Sequence, residues 1–190
     1  GSPHEKGCTY TALSLIAGEL KAQGIETEIL HVGGQPVGGC IGCGGCRSGN
    51  GCVFGGVVNE AIEKAKTADA FVFGSPVHYA SAAGNMASFM DRLAYAGGKY
   101  LAYKPAGTTS TLDQLVKYPQ FFHMPLVNGS YWAMVHGSNP EQVLQDAEGC
   151  AVMQELGRNM AWLLRCIEAG KAAGIDHPQN PPRPMTNFIR

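Results

Sequence analysis

The stretch that decides the fold runs from Ala70 to Tyr79 and reads Ala-Phe-Val-Phe-Gly-Ser-Pro-Val-His-Tyr. Its first half is a continuous apolar run, the mark of a strand buried on both faces of a parallel sheet. This predicts a strand over 69–74 and a loop over 75–79. On either side the apolar period becomes helical. Val58, Ile62 and Ala65 predict a helix over 57–68, and Met86, Phe89, Met90 and Leu93 predict one over 81–95. A buried strand between two amphipathic helices is the signature of an α/β sheet covered on both faces.

The pattern extends in both directions. Leu13, Ile16 and Leu20 predict a helix over 9–24, stopped at Gly24, and Ile29, Leu30 and Val32 predict a strand over 26–32. Residues 33–56 form a long Gly/Cys loop, and a loop of that length inside a compact domain is functional as a rule. A short helix broken at Pro119 is expected over 109–122, and a strand over 130–135. Asn139-Pro140 is a cap followed by a first-turn proline. It should open a helix reaching Ala169, with Leu156, Met160, Leu163 and Ile167 on one face. The chain of 190 residues therefore reads as one domain over 1–175, with a Pro-rich tail over 176–190.

Composition narrows the function. The formal net charge is -1, from 14 basic and 15 acidic residues. That argues against a nucleic-acid protein, which carries a basic stripe. No stretch reaches the roughly 18 apolar residues of a membrane span. No signal peptide opens the chain; the expected location is the cytoplasm, where thiols stay reduced. There are 7 Cys, four of them between Cys40 and Cys52, which reads as metal or redox chemistry before disulfides.

Two loops carry the binding signal. Gly1-Ser2-Pro3 begins a loop that runs through Gly7, Cys8 and Thr9 directly into a helix. A helix N-terminus offers unpaired N–H groups and partial positive charge to a phosphate. Ser2, Thr9 and Thr11 add hydroxyl donors. The loop is not a Walker loop, because Gly-Lys-Ser/Thr is missing. Gly-Ser-Pro recurs at Gly74, Ser75 and Pro76, after the buried strand. Loops at the carboxyl ends of parallel strands are where an open α/β sheet binds its ligand. His78 and Tyr79 there suit a flat heterocycle.

With these motifs the chain resembles the flavodoxin-like NADPH-dependent FMN reductase family. The matching pieces are Gly-Ser-Pro-His-Glu-Lys-Gly-Cys-Thr from Gly1, Gly-Ser-Pro-Val-His-Tyr from Gly74, and Gly-Asn-Met-Ala-Ser-Phe-Met-Asp-Arg ending at Arg92. The resemblance implies a three-layer sandwich around a parallel five-stranded sheet of order 2-1-3-4-5. It implies FMN phosphate on Ser2, His4, Gly7, Cys8, Thr9 and Tyr10. It also implies a flavin ring against Ser75, Pro76, Val77, His78 and Tyr79, with Gly107, Thr108 and Thr109 on the other side. The family commonly has Asn, Tyr and Lys where this chain has Cys8, His78 and Ala87. Two of the five strands are expected to be missing from the chain: strand one, which would precede Gly1, and strand four, for which only Pro105 and Ala106 remain before Gly107. The family's pocket is completed by a neighbouring subunit, which implies a homodimer or a dimer of dimers.

Cys40, Cys43, Cys46 and Cys52 give the spacing C-x2-C-x2-C-x5-C, with Gly42, Gly44, Gly45, Gly49 and Gly51 among them. Four thiolates on one loop can hold a [4Fe–4S] cluster. Tetrahedral zinc and free or reversibly paired thiols are the alternatives. Within the resembled family the spacing is similar to that of the iron–sulfur flavoproteins, which pass electrons between FMN and a cluster. Cys150 and Cys166 are expected to be buried core thiols. Trp132, Met134 and His136 alternate and would share one strand face, either core or pocket. The resemblance implies an oxidoreductase in which NAD(P)H reduces FMN, and FMN passes electrons to a small acceptor or a cluster. An FMN/iron–sulfur electron carrier and a zinc- or thiol-based regulatory protein are the other classes. No residue is marked as catalytic; Tyr79 and His78 are the candidates for shaping the ring environment.

Overall fold

The computed structural model describes residues 1–109, 112–182, 184 and 186. Ser110 and Thr111 of the expected helix, and most of the end of the tail, lie outside the described residues. Two parallel strands carry the centre: β1 (Phe71–Gly74) and β4 (Ala106–Thr109), in the register Phe71↔Ala106 to Gly74↔Thr109. A two-residue hairpin, β2 (Val77–His78) with β3 (Ser81–Ala82), follows β1. The helices are α1 (Cys8–Ala22), α2 (Val57–Thr67), α3 (Gly84–Gly97), α4 (Leu112–Leu115), α5 (Lys117–Phe121), α6 (Pro140–Val143) and α7 (Ala147–Ala172).

The alternation of β1 builds two cores. Phe71 and Phe73 face one side, where they meet Val58 and Ile62 of α2 and Met86, Phe89, Met90 and Leu93 of α3. Val72 faces the other side, toward Ala12, Ile16 and Leu20 of α1 and Val152, Leu156 and Met160 of α7. A helix layer, a sheet layer and a second helix layer result, as the apolar run of β1 requires. Gly157 brings α1 and α7 together, because a Cβ there would stand 2.8 Å from the Ile16 carbonyl.

Several expectations are corrected. Strand four is present, as β4. It was hidden because it contains Gly107, a poor strand former. A side chain there would press into Leu156 of α7, with the Cβ 3.1 Å away, so the close packing of α7 favours glycine. The strand expected over 130–135 does not form. The next parallel partner of β4 lies at Leu126, bridged to Ala106, with the Val127 N–H donating to the Ala106 carbonyl (2.8 Å). The chain then kinks, the Met134 N–H donating to the Trp132 carbonyl (2.8 Å), and Tyr131, Trp132 and His136 are exposed. Trp132 and His136 are therefore not core residues. The helix expected from Asn139 is two helices: α6, capped by the Asn139 side chain accepting from the Gln142 N–H (2.9 Å), and α7, capped by Asp146. Cys166 is exposed and Cys150 half-buried, so neither is a fully buried core thiol.

Residues 26–32 are not a laddered strand. A channel of about 860 Å³ separates them from β1, lined by Ile16, Leu20, Leu30, Val32, Phe73 and Phe89 among others. The Gly1 nitrogen lies at the end of this channel and donates to the Gly74 carbonyl (2.8 Å). Two of the expected five strands therefore pair as β1 and β4, and Leu126 marks a third position.

Candidate functional site: a phosphate loop and a cysteine loop

Three backbone features meet at one end of the sheet. Gly1 is bonded to Gly74, the last residue of β1, and Gly74 is paired with Thr109, the last residue of β4. The loop from Gly1 leads directly into α1. The carboxyl ends of both strands therefore lie beside the start of a 15-residue helix. This is the position at which an open α/β sheet takes its ligand.

The loop is shaped before any ligand arrives. Ser2 is buried, and its Oγ accepts from the His4 N–H (3.1 Å). The Ser2 carbonyl meets His31 Nε2 at 2.8 Å. A Cβ on Gly33 would stand 1.8 Å from the Ser2 carbonyl oxygen, so the start of the 33–56 loop can pass here only as glycine. Gly7 is the N-cap of α1 and offers no side-chain cap, and the first turn holds no acidic residue. Thr11 is engaged internally, its Oγ1 donating to the Gly7 carbonyl (3.2 Å). The first-turn N–H groups are left for an anion, and the helix dipole favours one there. Cys8 Sγ donates to the Gly137 carbonyl (3.3 Å), tying the helix start to the loop before α6. His4 and Tyr10 stand at the exposed rim and Thr9 is half-buried.

The 75–79 segment is a hairpin, not an open loop. Ser75 is buried, and its Oγ accepts from the Ala83 N–H (3.0 Å) and donates to the Pro76 carbonyl (2.9 Å). Its hydroxyl therefore holds the hairpin shut. Gln114 of α4 accepts from the Ala82 N–H (2.8 Å) and supports the same hairpin. Val77, His78 and Tyr79 are exposed, and Tyr79 takes a left-handed φ of 55° at the tip. Gly107, Thr108 and Thr109 are buried in β4. These residues suit FMN by position: an uncapped helix start for the phosphate, and a hairpin with an aromatic and an imidazole for the ring.

The cysteine loop is built differently. Its ends are tied by side chains. Asn85, at the start of α3, donates to the Gln35 carbonyl (3.0 Å) and accepts from the Val37 N–H (3.0 Å). Asn59 of α2 accepts from the Cys52 N–H (2.8 Å) and donates to the Cys52 carbonyl (3.1 Å). Between these ties Gly42, Gly44, Gly49 and Gly51 are left-handed. Cys40 and Cys43 are exposed, Cys46 and Cys52 half-buried, and all seven cysteines are free thiols. Among the described residues no three of His, Cys, Asp or Glu come together as a metal-holding group. The donor set still fits a four-thiolate cluster by its chemistry, and the glycines leave the loop free to wrap one.

Sequence reasoning missed His31, Asn59, Asn85 and Gln114. Asn85 and Asn59 had a visible signal, a polar amide in the first turn of an amphipathic helix beside a glycine-rich loop. His31 and Gln114 had none, because their partners lie 29 and 32 positions away in the chain.

The comparisons with known proteins agree with this geometry. The family described as NADPH-dependent FMN reductase matches residues 1–139. An iron–sulfur flavoprotein of Methanocaldococcus jannaschii is 25% identical over 186 residues, covering 88% of this chain and 96% of that protein. One from Archaeoglobus fulgidus is 34% identical over 92 residues, 48% of this chain and 45% of that protein. Among solved structures, RosB with a bound 8-demethyl-8-formylriboflavin-5'-phosphate intermediate aligns at a TM-score of 0.64 and 13% identity, covering 100% of this chain and 92% of that one. An oxidoreductase from Corynebacterium diphtheriae aligns at 0.53 and 14% identity, over 82% of this chain and 86% of that one. Those two establish the fold. Flavodoxin-like in architecture and matched over most of its length, the chain belongs to the NADPH-dependent FMN reductase family.

Proposed function

We propose that this flavoprotein oxidoreductase takes a hydride from NAD(P)H and passes electrons, one at a time, toward a cluster held by Cys40, Cys43, Cys46 and Cys52, or in pairs to a small acceptor. The observation that carries the FMN assignment is the open N-terminus of α1 beside the carboxyl ends of β1 and β4. Bound FMN would supply the ability to accept two electrons and release them singly.

The protein's own residues do the rest. Ser2 and Gly7 shape the loop, and the N–H groups of Cys8, Thr9 and Tyr10 bind the phosphate. Pro76, Val77, His78 and Tyr79 offer the ring a stacking face, and Gly107, Thr108 and Thr109 close the opposite side. His4 stands at the rim near the phosphate. His78 and Tyr79 orient the ring and exclude water from one face. No side chain is required to move a proton.

A second copy of the chain belongs to this reading. Tyr79 is fully exposed and Trp132 60% exposed, which supports a homodimer or a dimer of dimers covering them. Seven free thiols suit the cytoplasm, where thiols stay reduced. No helix among the described residues is long and apolar enough to cross a membrane. One observation favours a second reading, an FMN reductase with free thiols: Cys40 and Cys43 are exposed and ungrouped.

An absorbance spectrum of protein purified without oxygen, with iron and sulfide assays on the same sample, tests the proposal. Flavin bands with a broad shoulder near roughly 400 nm and about four irons per chain are expected for FMN plus a cluster. Flavin without iron selects the second reading. A colourless protein contradicts both.

A further inference from the structure

Arg92 closes the Gly-Asn-Met motif inside α3 and is buried, with 7% of its surface exposed. Its guanidinium makes three contacts. Nε donates to Cys52 Sγ (3.2 Å), Nη2 to the Gly55 carbonyl (3.1 Å) and Nη1 to the Gly38 carbonyl (3.4 Å). The Phe54 ring lies 5.6 Å from the guanidinium carbon. Among the described residues no carboxylate is within ion-pair distance of it.

This arrangement is incomplete as a purely structural device. A guanidinium keeps its charge in proteins, and a buried charge without a counter-charge is costly. Two carbonyls solvate it in part. The third partner is a sulfur, a weak acceptor as a thiol and a strong, charge-assisted one as a thiolate. The site is balanced when Cys52 is a metal-bound thiolate. Cys52 is also the one cysteine of the four whose backbone is held at both its N–H and its carbonyl, by Asn59. Gly51 makes room for that tie, since a Cβ there would stand 2.8 Å from Asn59 Oδ1.

We infer that Arg92 is a positioning residue for the cluster: with Asn59 it fixes Cys52 as the pre-placed ligand, and by donating to its sulfur it raises the cluster's reduction potential. The inference rests on the cluster reading proposed above. Reduction adds negative charge to a thiolate-bound cluster, and a donor on the sulfur stabilises the reduced form more than the oxidised one. The exposed Cys40 and Cys43 and the half-buried Cys46 would then close around the fixed Cys52.

The test uses the full chain, reconstituted with FMN, iron and sulfide without oxygen. Iron per chain is measured, and the one-electron midpoint of the cluster is read by an EPR-monitored redox titration. Arg92→Gln should retain iron and shift the reduction equilibrium about tenfold toward the oxidised form, which is about 59 mV for one electron. Arg92→Lys, which keeps the charge and loses the fork, should lie between Arg92→Gln and the natural chain. An Arg92→Gln chain with full iron and an unchanged midpoint overturns the inference, whatever its melting temperature. If Arg92→Gln fails to fold or to hold iron, Arg92→Lys decides: a midpoint lowered by at least a twofold change in the equilibrium supports the inference, and an unchanged one overturns it. A natural chain that takes up no iron contradicts the cluster reading itself, and the inference with it.

Discussion

The opening loop and the cysteine loop are both rich in glycine, and they use it in opposite ways. At the opening loop, Gly33 lets two backbones pass closer than any side chain would permit, and Ser2 is buried against them. That loop is shaped by close backbone packing and by the Ser2 hydrogen bonds. In the cysteine loop, Gly42, Gly44, Gly49 and Gly51 supply left-handed turns while three of the four thiols wait at or near the surface. Its ties to the helices come from Asn85, and from Asn59 with Arg92. One site is shaped by the fold; the other is to be shaped by what its thiols bind. Glycine content alone does not distinguish them; the partners of each glycine do.

Substitutions can separate the two regions. The largest effect is expected from Cys43→Ser in the cysteine loop. It should remove essentially all iron, measured per chain by metal assay, while FMN stays bound at its natural affinity. Loss of FMN with the iron would show that the two loops are one site. Gly33→Ala should act chiefly on the other loop. The added methyl must displace the Ser2 backbone, costing on the order of 1–3 kcal/mol. Thermal unfolding should fall by several degrees, and FMN affinity should weaken about tenfold if about 1.4 kcal/mol of that cost falls on the bound loop.

Ser2→Ala is the milder version. It leaves the His4 N–H without its partner and should weaken FMN by about five- to tenfold in a fluorescence titration, from about 1–1.5 kcal/mol. The smallest effect on either site belongs to Asp146→Ala, at the start of α7. The carboxylate accepts from the Gly149 N–H (2.9 Å) and the His136 N–H (2.7 Å), which together hold it below the usual carboxylate range. Losing this cap should cost about 1 kcal/mol, with FMN and iron unchanged. A depressed carboxyl stabilises the fold above its unfolded pKa of about 3.9, and that stability is lost as pH falls through the folded value. The gap between Asp146→Ala and the natural chain should therefore be present at neutral pH and close only below about pH 4, as acid-unfolding curves would record.

Much of this was legible in the residues. The run Ala70 to Phe73 carried the α/β class, because burial on both faces demands an unbroken apolar strand. The period of Met86, Phe89, Met90 and Leu93 placed α3, and Asn139-Pro140 placed the start of α6. β4 was illegible because Ala-Gly-Thr-Thr has no apolar run and carries a glycine, despite its two β-branched threonines; it is a strand through its pairing with β1 and the packing of Leu156 on Gly107. The expected strand over 130–135 erred the other way. Its apolar alternation was real, but β4 takes its next partner at Leu126, and Tyr131 and Trp132 face solvent. At the site, the two Gly-Ser-Pro loops and the cysteine spacing were readable. Ser75's internal hydroxyl bonds and Arg92's reach to Cys52 were not, since each depends on neighbours that only folding supplies.

The central claim is that the open start of α1 binds the phosphate of FMN. A fluorescence titration of the cofactor-free protein with FMN and, separately, with riboflavin tests it most directly. Two charge-assisted bonds to the phosphate are worth about 3 kcal/mol together, so FMN should bind about a hundredfold more tightly than riboflavin. Equal affinity for the two would contradict a phosphate site at α1.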